Sequence, residues 1–116
     1  MKITRLHVGP RMSEVAIHNQ VVYLAGQVAE DPSQDVAGQT QQVLAAIDRL
    51  LAEAGSDKQH LLQVTIFLKS IADFPAMNAV WDKWVVPGQT PPRATVEAGL
   101  ARSEYLVEIK VIAAQI

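Results

Sequence analysis

The chain contains no cysteine, which excludes disulfides, thiolate metal sites and a cysteine nucleophile together. It also lacks a charge excess. Ten basic against twelve acidic residues give a formal net charge of −2, and a pI near 5.8 is not that of a nucleic-acid binder. His7, His18 and His60 stand far apart and form no ligand spacing, so they read as strand-end or turn residues and no metal is expected. The glycines assemble into no phosphate loop, and Ser13 stands in no nucleophile motif. No apolar run approaches the ~20 residues that span a bilayer. Lys2 and Arg5 appear before any apolar leader core could form, so neither a secretory leader nor a membrane contact is expected, and a cytoplasmic location is the default.

What is present is a core. With 116 residues, 49% of them hydrophobic, the chain reads as one globular domain over residues 1–116. Ile3, Leu6 and Val8 mark a first strand, broken by Gly9-Pro10. Met12 to Ile17 and Val21 to Ala25 are two more β-rich runs. They are joined by His18-Asn19-Gln20, where asparagine tolerates the positive φ of a tight turn. From Asp35 the period changes, and Val36, Thr40, Val43, Leu44, Ile47, Leu50, Leu51 and Ala54 trace a helical stripe. Asp35 is its N-cap and Gly55 its stop. Leu61 to Lys69 follows as a strand with Leu62, Val64, Ile66 and Leu68 on one face. Phe74, Met77, Val80, Trp81 and Trp84 then recur at helical spacing, and read as core. Pro75 fits the first turn and Pro87-Gly88 ends the helix. Asn78, mid-helix, is open to a pocket-lining, structural or exposed role. The order βββαβαββ predicts an α+β two-layer sandwich: a mixed sheet with two helices on one face.

The last quarter carries the candidate chemistry. Arg93 to Ala98 and Leu106 to Ile112 are β-rich runs around a loop over 99–104. They read as adjacent strands, and antiparallel pairing would bring Arg93 and Thr95 near Glu108. Such a set can be a row of cross-strand charge pairs on a solvated face, each worth little. The residues alone favour that reading; the alternative is a pocket in which Arg93 grips a carboxylate bidentately and Glu108 handles a proton or a water. The last strand carries Val, Ile and Leu on both faces, so the second sheet face requires a cover, most simply another subunit.

Arg93-Ala94-Thr95-Val96-Glu97 followed by Val107-Glu108-Ile109-Lys110-Val111-Ile112-Ala113 resembles the C-terminal signature of the RidA (YjgF) family of imine deaminases. Gly9-Pro10, Ala25-Gly26-Gln27 and Met77-Asn78-Ala79 stand in matching order, so the resemblance spans the whole chain. Within the family it is similar to the YoaB-like branch. The resemblance implies a chorismate-mutase-like fold, a homotrimer with pockets between subunits, and no cofactor. It further implies hydrolysis of 2-imino acids to 2-oxo acids and ammonia. Arg93 would bind the substrate carboxylate and Glu108 would assist the water, with Thr95, Arg11, Gly26 and Gln27 also lining the site. A trimer that binds or senses a 2-oxo acid or carboxylate without turnover is the alternative.

Three positions depart from the family pattern: Arg11 replaces a tyrosine, Ala25 a serine and Thr95 a common cysteine. The proline usual shortly after Gln27 is also missing. Arg11 reads as an exposed loop arginine, or, if it points into the site, as a second guanidinium that would suit imines of dicarboxylic amino acids.

Overall fold

The computed structural model describes residues 2–116. Its elements are β1 (Thr4–Val8), β2 (Ser13–His18), β3 (Val21–Leu24), α1 (Val36–Glu53), β4 (Leu61–Leu68), α2 (Phe74–Trp84), β5 (Arg93–Glu97) and β6 (Val107–Ala114). Short 3₁₀ turns at Lys58–His60 and Ile71–Asp73 lead into β4 and α2. The six strands form one sheet in the order β1-β2-β3-β6-β4-β5. All neighbours are antiparallel except β4 and β5.

Local chemistry sets the element boundaries. Asn19 and Gln20 both adopt left-handed backbone, at φ 52° and 64°. Two such residues in succession give the turn whose twist matches a two-residue hairpin. The Asp35 carboxylate accepts from the Gly38 amide at 2.9 Å and caps α1. Gly55 ends that helix at φ 77°, where a side chain would be strained. Pro75 occupies the first turn of α2, where its missing N–H has no partner to lose.

The helices lie together on one sheet face. Val107, Ile109, Val111 and Ala113 of β6 and Val64, Ile66 and Leu68 of β4 are buried against Val43, Leu44, Ile47 and Leu51 of α1 and Met77 and Trp81 of α2. The molecule is only 20 Å thick along its short axis, the depth of one sheet and one helical layer. β4 departs from simple alternation. Leu62, expected inside, is 47% exposed and Leu61 takes the buried place. A register irregularity between Leu61 and Gln63 switches the faces at the strand's start. The open face carries Tyr23, Phe67, Val96 and Ile112 beside Glu108 and Lys110, and Tyr23 and Val96 are over 40% exposed.

One buried polar side chain ties the loops to this core. Gln39 is fully buried in α1, and its Nε2 lies 3.0 Å from the carbonyl oxygens of Pro32, Gln34 and Glu104. Its Oε1 accepts from the Leu106 amide at 2.9 Å. It therefore fixes both the approach to α1 and the entry to β6. Gln39→Leu keeps the volume but orphans these backbone groups, and should cost about 2–4 kcal/mol of stability. Urea denaturation measures it, and a loss below about 1 kcal/mol would show that the loops re-bond elsewhere.

Candidate functional site

The topology separates residues that the sequence had suggested were neighbours. β5 and β6 do not pair, because β4 lies between them: β6 antiparallel on one side, β5 parallel on the other. β4, α2 and β5 make a strand–helix–strand unit, and such a crossover returns its second strand parallel to the first. That succession is visible in the sequence and outranks the shorter loop between β5 and β6.

Register then decides which way each side chain faces. Arg93 stands beside Val64, Thr95 beside Ile66 and Glu97 beside Leu68. Val64, Ile66 and Leu68 lie under the helices, so Arg93 and Thr95 face α2. The Arg93 Cζ is 5.1 Å from the centroid of the Trp81 ring and 5.7 Å from that of Phe74. Phe74, Asn78 and Trp81 follow one another at i, i+4 and i+7, which sets Asn78 on the same stripe of α2. Its location on this stripe was not determined by its mid-helix position in the sequence.

Burial pushes the Arg93 pKa down, and the charge of Asp82 pushes it back up by a lesser amount. An arginine side chain nevertheless remains charged. No carboxylate among the described residues forms an ion pair with it. The two rings offset part of its desolvation through cation–π attraction. Asn78 Oδ1 and Thr95 Oγ1 are buried without a hydrogen-bond partner, although buried polar atoms are normally paired. A guanidinium without an ion-pair partner among the described residues, an amide oxygen and a hydroxyl thus stand where β5 meets α2. The guanidinium is a planar donor fork suited to a carboxylate, and the hydroxyl adds a donor or acceptor.

Glu108 belongs to the other face. It pairs with Phe67 and so points away from the helices. A Cβ on Gly26 would collide with the Glu108 carboxylate, so glycine is what leaves that carboxylate room. Gln27 exchanges both backbone hydrogen bonds with Ile109, at 2.8 and 3.1 Å. Its buried side chain donates from Nε2 to the Ala25 carbonyl at 3.1 Å. Gln27 therefore shapes the Ala25–Gln27 segment and does not project from it. Arg11 is exposed on the turn closed by the Gly9 amide and the Met12 carbonyl. That turn lies at the same end of the sheet as Ala25 and Glu108, since the Ala25 amide donates to the Glu14 carbonyl. Within one chain the residues divide into two sets, Arg93 and Thr95 with α2, and Glu108, Gly26 and Arg11 elsewhere.

A mixed six-stranded sheet with both helices on one face is the architecture of the YjgF-type proteins. NMB1025, a YjgF family member from Neisseria meningitidis, superposes with a TM-score of 0.97 and 48% identity, covering 100% of this chain and 97% of its own. The chain belongs to the YjgF/RidA family: residues 3–115 match the family model described as Endoribonuclease L-PSP. A RutC family protein of Haemophilus ducreyi is 50% identical over 112 residues, covering 97% of this chain and 96% of the relative. The RutC family protein YoaB of Escherichia coli is 47% identical over 114 residues, covering 98% and 99%.

The partnerless Thr95 hydroxyl makes the cleft a burden on the fold when no ligand is bound. Thr95→Val is nearly isosteric and removes that oxygen. It should raise stability by about 1 kcal/mol, the desolvation cost of one unmet polar group. Urea unfolding in ligand-free buffer tests this. A destabilised variant would show that the hydroxyl is bonded in the folded protein.

Proposed function

We propose that the chain is a hydrolytic deaminase of 2-imino acids, with Arg93 holding the substrate carboxylate. The observation that carries the reading is the Arg93 guanidinium, half-buried over Phe74 and Trp81 with no carboxylate paired to it among the described residues. Water adds to the C=N carbon of the protonated imine, and the resulting carbinolamine expels ammonia to leave the 2-oxo acid. Glu108 accepts the proton from the attacking water and returns it to the departing nitrogen. A protonated imine is already electrophilic, so positioning and charge complementarity supply most of the rate.

Because Arg93 and Glu108 face opposite sides of the sheet, the complete pocket requires two copies. One contributes Arg93, Thr95 and Asn78, the other Glu108, Gly26 and, from the turn beside it, Arg11. A homotrimer would repeat this junction three times while covering the open face with Tyr23 and Val96. Light scattering should give three times the 12.6 kDa chain mass. A stable monomer at micromolar concentration would remove the two-copy pocket.

The same separation supports a second reading, in which the Arg93 half binds a 2-oxo acid or other carboxylate without turnover. The net charge of −2 speaks against the nuclease activity in the family model's description, because RNA binding draws on basic surface.

An amino-acid oxidase coupled to this protein separates the first two readings. Imine decay with ammonia release would mark the enzyme, and binding without decay the sensor. Arg93→Ala should lose about ten- to hundredfold in kcat/KM, corresponding to roughly 1.5–3 kcal/mol for a charged hydrogen bond. Arg93→Lys should fall nearly as far, since lysine keeps the charge without the planar fork. Wild-type turnover in either variant would return Arg93 to a packing role.

A further inference from the structure

A cavity away from both halves of that site lies on the outer side of the helical layer. It is a groove of about 590 Å³ between α1 and α2. Ala37 and Ala45 of α1 and Ala76 and Ala79 of α2 line its flanks, and Leu44 and Val80 add larger apolar side chains. Alanine side chains are too short to fill the space between the helices, so a trough remains where larger residues would interlock. Its volume falls within the ~300–1,000 Å³ usual for small-molecule sites.

One part of the groove is polar and already ordered. The Trp84 Nε1–H donates to Asp48 Oδ2 at 2.9 Å, and the indole also leans on Trp81 with ring centroids 5.4 Å apart. The Lys58 ammonium sits 5.3 Å from the centroid of the Trp84 ring. Lys58 and Lys83 both line the groove, and neither forms an ion pair among the described residues. Asp48 is the one acidic lining residue, and one of its oxygens is occupied by the indole. Two lysines against one aspartate leave the lining with one net positive charge. An apolar trough with a fixed aromatic wall and two unpaired ammonium groups complements a molecule with an apolar body and an anionic head.

We propose that the α1–α2 groove binds a small amphipathic carboxylate, an aryl or medium-chain alkyl acid. Its body lies along the alanine-lined trough against Trp84, and its carboxylate sits between Lys58 and Lys83. An amphipathic helix of a partner protein is the competing occupant. It would contact the same alanines, but α2 has only 11 residues, about 16 Å of helix, which offers a short seat. The lysines also favour a single anionic head.

The test titrates 1-naphthoate and decanoate, with decanol as the neutral control, into the intact protein. Calorimetry and tryptophan fluorescence follow binding. Saturable binding of both acids and at least several-fold weaker binding of decanol are expected. The Lys58→Ala/Lys83→Ala double variant should weaken the acids about tenfold, the combined worth of two partly exposed charge contacts. Ala79→Trp, which fills the trough, should abolish binding, with circular dichroism verifying that it folds. If it does not fold, the double-lysine variant decides alone. Arg93→Ala should bind both acids as the wild type does, which separates this groove from the proposed imine site. Absence of saturable binding up to millimolar acid would overturn the proposal, as would equal binding of decanol. Loss of binding in Arg93→Ala with retention in the double-lysine variant would place the acids in the other site and overturn it too.

Discussion

Antiparallel register between β4 and β6 is the constraint from which the remaining geometry follows. Leu68 is set against Val107, Ile66 against Ile109 and Val64 against Val111, and every one of these is buried under the helices. Side chains alternate with period two along a strand, so a slip of one residue would send the whole apolar set to water and bring Glu108 and Lys110 inside. The energetic preference for the observed register is therefore large. It extends to β5, which takes its own facing from β4. The irregularity at Leu61 to Gln63 is absorbed before this region begins.

That register places cation and carboxylate on different sides of the sheet. Arg93 stands on the helix side because its neighbour Val64 must be buried, and Glu108 on the open side because Ile109 must be. A half-buried cation without an ion-pair partner and two buried polar atoms without hydrogen bonds, among the described residues, persist at some cost to stability. Cores selected for stability alone remove such groups, and sites that await a ligand retain them. The two aromatic rings against Arg93 moderate the cost without neutralising the charge.

The helical layer has two distinct surfaces. Its inner surface is a conventional core of Val43, Ile47, Leu51 and Met77. Its outer seam is lined by alanines and left unfilled. Trp81 and Trp84 connect the two, one packed against Arg93 and the other walling the outer groove, in mutual contact at 5.4 Å. A pair of tryptophans read from spacing as simple core thus links Arg93 to the outer groove.

What the sequence by itself determined is everything carried by local pattern. The βββαβαββ order, the Asp35 cap, the Gly55 stop, the Pro75 start and the hairpin at Asn19 all follow from residues within a turn or two of each other. Short-range propensity and periodicity act on that scale. The family was legible from motifs whose order the fold preserves. Arg93 and Glu108 were legible as candidates because they stand in the stretch that resembles the family's C-terminal signature. Their separation, the insertion of β4 between β5 and β6, the switch at Leu61 and the burial of the Asn78 amide oxygen were decided only by tertiary structure. Each depends on which distant strand lies alongside and which face the helices cover. Those choices are settled by burying the largest apolar area over the whole sheet, a sum that no local window of the chain contains.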